Sequence, residues 1–317
     1  MSKQGVLVIG ATGDQGAAQI AELQVAGWSV TAAVRQLGDP RVIESVPCVT
    51  LDLLEPRTLS PALEGVETVF LNLPSASFND PAKVLCGFEN FLSAAIQARI
   101  SRVVFNASLY VGVAPAGHVA HDTRLKIIRR LFDSPVDATA ICPVIFMDNL
   151  LRGWALPSLR DHQVLRYPHA PTLPVSWICL ADVARIMMVV AGDEGAVNQR
   201  FIVGGPQALR GEETAASLSR AWGKEIRFES FPVEEFARHM GTLFAPDEPT
   251  RAARIERDLC AVYRWYNDAQ PSPFTVDMRA FLARYPVNLQ TVETWARKHP
   301  LAFLSSGHSS ITTQQKS

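Results

Sequence analysis

The chain has 317 residues, 48% of them hydrophobic, enough for one large domain or two unequal ones around a sizeable core. Its 30 Lys plus Arg stand against 31 Asp plus Glu, so no strong field draws it to nucleic acid or to an anionic membrane surface. Cys48, Cys86, Cys142, Cys179 and Cys260 are odd in number, widely spread and without a C-x-x-C pair, a pattern that reads as buried thiols in a reducing cytoplasm. Met1 to Gln4 lead straight into the first strand and no apolar run reaches bilayer length, so a cytoplasmic chain without signal peptide or membrane span is expected.

In chain order, Val6 to Ile9 is a short β-branched apolar run, as a strand buried on both faces should be. It runs directly into Gly10-Ala-Thr12-Gly13-Asp14-Gln15-Gly16, and a helical pattern follows from Ala17 to Ala26. Strand, glycine turn and helix in that order make a phosphate-binding unit. Gly10 permits the sharp turn off the strand, Gly13 lets the backbone approach a pyrophosphate, and Gly16 lets the helix pack closely on the sheet. Thr12, Asp14 and Gln15 complete the loop and join the glycines as candidate contacts.

The alternation continues with strands expected at Ser29 to Arg35, Cys48 to Asp52, Glu67 to Leu73, Arg102 to Asn106 and Asp137 to Cys142. The clearest helices between them are Pro81 to Ala98 and His121 to Phe132. Such alternation predicts an α/β fold, a doubly wound, mostly parallel sheet that binds ligands beyond the carboxyl ends of its strands. Pro157, Pro168, Pro171 and Pro174 then suggest a loop-rich excursion over Leu151 to Val175. A return to the sheet is expected through Val175 to Ile178, a helix over Ala181 to Ala191 and a strand over Arg200 to Val203. Helices over Gly211 to Gly223, Val233 to Met240, Arg251 to Tyr266 and Leu289 to His299, with a strand over Glu225 to Glu229, would build a smaller region over the cofactor cleft. The polar tail Ser305 to Ser317 is expected to be disordered.

The second strand ends in Ala32-Ala33-Val34-Arg35-Gln36, where an NAD-binding chain places an acid for the ribose hydroxyls. Arg35 can instead fork onto a 2'-phosphate, which favours NADP(H). Asp39, past the strand in a Gly-Asp-Pro turn, is a weaker candidate for a ribose contact.

The glycine loop, Ala33-Val34-Arg35, Leu51-Asp52-Leu53, Val69-Phe70-Leu71-Asn72, Val104-x-Asn106-Ala107-Ser108, Thr139-Ala-Ile-Cys-Pro143-x-x-Phe146-x-x-Asn149 and Thr294-Trp295 together resemble the NmrA-like atypical short-chain dehydrogenases. That family includes isoflavone-, pinoresinol- and quinone-reductase-like enzymes as well as redox-sensing regulators. The resemblance spans roughly residues 5 to 300. It implies a Rossmann-type sheet over residues 1–150 with 175–205 returning to it, a smaller α+β substrate-binding cap over 151–174 and 206–304, and a tail at 305–317. By the same resemblance Asp52 and Leu53 contact the adenine, Leu73 and Pro74 lie beside the cofactor ribose, and Ala107, ending the fifth strand with Ser108, is a further cofactor contact. Pro143, Val144 and Phe146 hold the nicotinamide, and Asn149 matches the turn after them.

Short-chain dehydrogenases commonly use Tyr-x-x-x-Lys, where the lysine lowers the phenol pKa for proton exchange. None of Tyr110, Tyr167, Tyr263, Tyr266 and Tyr285 has a lysine four residues on. The family's reductases often place a lysine on the fifth helix, nineteen residues before the proline matching Pro143, and here that position is Arg124. Arginine stays charged, so Arg124 could hold cofactor or stabilise developing negative charge, but it is a poor acid. His121, one helical step away, is the better-placed proton carrier by its ordinary pKa, while Lys126 should face away. Ser108 and Tyr110, just past the fifth strand, could orient a substrate oxygen. His118 and His121 form H-x-x-H without a third ligand in sight, so no metal site is expected. The leading expectation is an NADPH-dependent reductase of a small apolar or aromatic substrate beneath a cap containing Trp154, Trp177, Phe231 and Phe236. A non-catalytic NADP(H) sensor and an isomerase or cyclase remain open, as does a homodimer.

Overall fold

A computed structural model describes residues 5–42 and 45–301. The chain divides into two compact units. The first comprises residues up to Pro143 together with Leu180–Val203 and Ala280–Val287; the second comprises Val144–Cys179, Gly204–Arg279 and the residues from Asn288 onward. The expected disordered tail, Ser305 to Ser317, lies outside the described residues.

In the first unit the elements run β1 (Val6–Ile9), α1 (Asp14–Val25), β2 (Val30–Val34), β3 (Cys48–Thr50), α2 (Leu59–Leu63), β4 (Thr68–Asn72), α3 (Pro81–Gln97), β5 (Arg102–Asn106), α4 (Val119–Phe132) and β6 (Ala138–Pro143). The second unit follows with α5 (Leu156–His162) and β7 (Val164–Tyr167), the first resumes with α6 (Leu180–Ala191) and β8 (Gln199–Val203), and the second adds α7 (Gly211–Trp222), β9 (Arg227–Ser230), α8 (Val233–Phe244) and α9 (Pro249–Asp268). Helix α10 (Arg279–Arg284) leads back into the first unit and α11 (Val292–Lys298) belongs to the second.

All seven strands of the main sheet are parallel, in the order β3-β2-β1-β4-β5-β6-β8. Every residue of β1, β4, β5 and β6 is buried, which explains why their sequences are continuous rather than alternating. Successive strands lie to one side of β1 as far as β3 and to the other from β4 onward, so the strand order reverses between β1 and β4. Right-handed crossovers in opposite directions put α1 on one face and α3 and α4 on the other. Phe88, Phe91 and Leu92 of α3 and Leu125, Ile127 and Ile128 of α4 fill the core against Val69, Leu71, Val103 and Phe105. At the outer edge, Asp193 draws the segment after α10 back onto this unit, accepting from the Tyr285 hydroxyl and from Arg284 Nη2.

Three expectations need correction. The Pro-rich excursion contains a helix and a strand, α5 and β7, because its prolines lie at the first turn of α5 and beyond β7, where they break nothing. Val175 to Ile178 does not rejoin the main sheet; its residues make single bridges, Val175 to Leu209 and Ile178 to Phe146, within the second unit. Of the five cysteines only Cys142 and Cys179 are buried, and Cys48 sits on the short edge strand β3, whose outer residues have no covering layer.

In the second unit β7 and β9 form a two-stranded parallel sheet. Around it Trp154, Tyr167, Trp177, Phe236 and Tyr263 pack with ring centroids 5.0 to 5.4 Å apart, edge to face except for the tilted Trp154–Tyr167 pair. Trp177, Phe231 and Phe236 are no more than 9% exposed. They form this unit's core, and of the four aromatics assigned to the cap only Trp154 keeps appreciable exposure. His169 lies inside the same nest, 4.6 Å from Tyr167 and 5.1 Å from Phe274. Burial pulls its pKa down to about 3, and its buried Nε2 has no hydrogen-bond partner among the described residues.

Candidate functional site

The carboxyl ends of β1, β4 and β5 come together because the strands are parallel and in register, with Ile9 beside Leu71 and Asn72 beside Asn106. Gly10 takes a positive φ of 79°, and a Cβ there would lie 2.6 Å from the Asn72 carbonyl oxygen. At Gly16 a Cβ would lie 2.6 Å from the Gly10 carbonyl carbon and 2.8 Å from Ala11 Cα. Both glycines are therefore required by the chain itself.

Gly13 differs. Its φ of −94° suits any residue, and the sole atom near an added Cβ is the Gly10 oxygen at 3.5 Å, an ordinary contact. Nothing among the described residues demands glycine here. A Cβ would project into the open space at the start of α1, where unpaired N–H groups and the positive end of the helix dipole meet. Thr12 precedes it, and Asp14 and Gln15 open the helix.

A polar network underlies this loop. Asn106 Nδ2 donates to Gln15 Oε1 at 2.7 Å and to Asn72 Oδ1 at 3.2 Å, while Asn72 Nδ2 donates to the Ile9 carbonyl. Ser108 donates its hydroxyl to Gln15 Oε1 at 2.7 Å and its backbone N–H to Asn106 Oδ1 at 2.9 Å. These bonds hold Ser108 at a φ of 65°, a left-handed conformation that an ordinary side chain adopts at a cost of about 1 kcal/mol. Asn72 and Asn106 were absent from the expected site residues. Their signal was available: each is a polar residue closing a buried strand after three apolar ones.

Arg124 lies on the inner side of α4 and is fully buried. Its Nε donates to the Ala107 carbonyl at 3.1 Å, and Nη2 to the Leu73 and Pro74 carbonyls at 3.1 and 2.7 Å. One guanidinium thus clamps the segments leaving β4 and β5, and these are three of the residues expected at the cofactor, Leu73 and Pro74 beside its ribose. Its Nη1 is buried without a partner among the described residues, and Phe105 lies beneath the guanidinium at 5.8 Å. Burial lowers its pKa to about 10, so it stays charged at neutral pH. Lys126 is exposed, as are Arg129 and Arg130.

His121 is buried, and burial reinforced by neighbouring His118 drives its pKa to about 3. This corrects the expectation of a proton carrier near neutrality: the ring is neutral throughout that range. The two imidazoles stand 5.8 Å apart, and among the described residues no three His, Cys, Asp or Glu are grouped to hold a metal. Tyr110 is half-buried in the loop after β5.

At the adenine end of the expected cofactor, Arg35 is exposed just past β2. Asp39 is turned onto Arg41, with Nη2 to Oδ2 at 2.5 Å. Asp52 Oδ1 accepts from the Leu54 N–H at 2.9 Å, closing a local turn, and the Leu53 carbonyl accepts from Asn90. Pro143 ends β6. Val144 and Phe146 are buried in the second unit, where Phe146 bridges to Ile178 and Asn149 donates to the Tyr167 hydroxyl.

The parallel order, the strand reversal and the glycine turn at that reversal define a Rossmann-like α/β protein. The model of the NmrA-like family matches residues 2–296, and the chain belongs to that family. An NAD(P)H azoreductase from Xenophilus azovorans is 31% identical over 245 residues, covering 76% of this chain and 82% of that one. An NADPH-dependent quinone oxidoreductase from Escherichia coli, solved with NADPH, superposes with a TM-score of 0.71 at 18% identity, covering 93% of this chain and 99% of that one. The negative transcriptional regulator NmrA, solved with NADP, gives 0.64 at 18% identity, covering 98% of this chain and 96% of that one. These two likenesses concern the fold. Among the described residues no helix is long and apolar enough to cross a membrane.

Proposed function

We propose that the chain is a reductase that binds NADP(H) and delivers hydride to a small apolar or aromatic acceptor. The observation that carries the reading is Gly13, a glycine that the fold does not require and a pyrophosphate approaching the start of α1 does. Relatives described as an NAD(P)H azoreductase and a quinone oxidoreductase support the reductase class. The nicotinamide cofactor, when bound, supplies the hydride.

The chain's own residues have separable roles in this reading. Gly10, Thr12, Gly13, Asp14, Gln15 and Gly16 form the loop and first turn of α1 against the pyrophosphate, with the Gly13 N–H closing the loop onto the Gly10 carbonyl at 3.0 Å, and Arg35 pairs with the 2'-phosphate. Asp52 and Leu53 lie at the adenine; Leu73, Pro74 and Ala107 form the wall beside the ribose, kept in place by Arg124. Pro143, Val144 and Phe146 are assigned to the nicotinamide. Arg124 is a fixed positive charge with no carboxylate among its bonded partners, suited to steadying negative charge on an acceptor oxygen or nitrogen as hydride arrives. Ser108 gives its proton to Gln15 and so offers acceptor lone pairs, which leaves Tyr110 as the hydroxyl that meets the substrate. Single-turnover oxidation of bound NADPH by quinones, azo dyes and enones tests the reading. Tight cofactor binding without oxidation by any of them argues against it.

A second reading is supported by one observation: the cation at the helix position is locked onto three backbone carbonyls, and His121 cannot supply a proton near pH 7. A chain so built can sense NADP(H) without turnover, in keeping with its likeness to NmrA. Partner recovery in the presence of NADPH and of NADP+ separates the two, since equal recovery removes the sensor.

A further inference from the structure

The turn after β2, Arg35-Gln-Leu-Gly38-Asp39-Pro-Arg41, holds two cations and one carboxylate. Gly38, at a φ of 76°, folds the turn so that Arg41 comes back onto Asp39. The pairing is a chelate. Asp39 Oδ1 accepts from the Arg41 backbone N–H at 3.0 Å and from its Nε at 2.9 Å, and Oδ2 accepts from Nη2 at 2.5 Å. The hydrogen bond from the Arg41 side chain holds the Asp39 carboxyl below the usual carboxylate range, and the charge of Arg35 acts on it in the same sense. All three charged groups therefore share one field at the end of β2.

An acid in this region of a dinucleotide-binding sheet accepts the ribose hydroxyls of NAD and repels the 2'-phosphate of NADP. This chain retains such an acid in Asp39, yet both of its oxygens are occupied by Arg41. We propose that Arg41 masks Asp39, so that the Asp39–Arg41 pair, rather than Arg35 alone, sets the preference for the phosphorylated dinucleotide. With Arg41 present the three groups sum to one positive charge; without it they sum to zero, and the carboxylate is released toward the diol. Arg41 is then a positioning residue acting through Asp39. This inference rests on the proposal that the chain binds NADP(H).

The test is calorimetric titration of NADP+ and NAD+ into wild type, R41Q, D39N and D39N/R41Q, a binding readout independent of turnover. R41Q should lose about ten-fold in NADP+ affinity and leave NAD+ unchanged or stronger, because an unmasked carboxylate opposes phosphate but accepts a hydroxyl. D39N/R41Q should recover NADP+ binding to within about three-fold of wild type, since removing the acid removes the need for its mask. A double variant as weak as R41Q shows that Arg41 grips the phosphate directly and overturns the masking. A wild type that binds NADP+ with a cofactor ratio unmoved by R41Q overturns this inference and leaves the proposed function intact. A wild type that binds neither dinucleotide overturns both.

Discussion

Gly13→Ala separates what the fold needs from what a ligand needs. The backbone at Gly13, with φ −94° and ψ 164°, is open to alanine, and the new methyl would rest 3.5 Å from the Gly10 oxygen without strain. Restricting the unfolded chain contributes about 0.4–1 kcal/mol, and alanine's poorer N-cap preference costs about 0.5–1 kcal/mol. The two nearly cancel. The melting temperature should therefore move by no more than about 4 °C. Gly16→Ala is the contrast, because its methyl meets backbone at 2.6 and 2.8 Å and forces the loop off the helix. Such overpacking costs about 1–3 kcal/mol, with a clear drop in melting temperature. For ligand, the methyl of Gly13→Ala occupies the space a pyrophosphate would take over the first turn of α1, and a loss of about ten-fold or more in NADP+ affinity, about 1.4 kcal/mol, is expected. Thermal melts and NADP+ titrations on the two variants make the comparison. If Gly13→Ala binds NADP+ as wild type does, the phosphate does not sit on this loop and the reasoning fails.

Further outcomes follow from the clamp, the network and the buried imidazoles. Arg124→Met leaves the buried Ala107 and Leu73 carbonyls unpaired, breaks the bond to the Pro74 carbonyl, and should lower stability by about 3 kcal/mol in urea unfolding. Arg124→Lys keeps the charge with fewer donors, so a smaller loss is expected together with reduced NADP+ affinity; a lysine variant as weak in urea as the methionine variant would show that fork geometry matters and charge does not. Gln15→Leu removes the common acceptor of Asn106 and Ser108 and should cost about 2 kcal/mol, read by urea unfolding, with retained stability refuting the network's role. His121 and His169 each have a folded pKa of about 3, below the unfolded value of 6.5, so the unfolded state binds protons first. The stability they leave intact above pH 6.5 is lost as pH falls toward 3, by about 1.4 kcal/mol for each ring at pH 5.5. His169→Phe should halve that slope between pH 6.5 and 5, and an unchanged slope would contradict the burial argument.

Most strands of the main sheet could be read from the chain because parallel strands buried on both faces carry continuous apolar runs, and Val6 to Ile9 and Arg102 to Asn106 match their observed bounds. Val175 to Ile178 could not: its composition is strand-like, but which neighbour a strand pairs with is decided by chain direction and packing, and here it meets Leu209 and Phe146 singly. Composition marks Trp177, Phe231 and Phe236 as apolar, and only packing shows that they are buried, Trp177 against Tyr167 and Phe231 against Phe236. His121 was legible as a member of α4's inner face by spacing from Arg124, yet its charge state depended on burial, which no spacing measures.

By itself the amino-acid order determined the α/β class, the glycine turn after β1, the cation after β2 and the loss of the familiar Tyr-x-x-x-Lys pair, because each is a local pattern that chemistry restricts to few residue types. The tertiary structure alone decided what those residues do to one another. It showed Gly13 free of any internal need, closed Arg124 onto Leu73, Pro74 and Ala107, and turned Arg41 onto Asp39. Hydrogen bonds, burial and the pKa values that follow from them depend on which groups meet in space, within one turn for Asp39 and Arg41 and across tens of residues for Arg124 and the Leu73 and Pro74 carbonyls, and residue order alone does not fix that meeting.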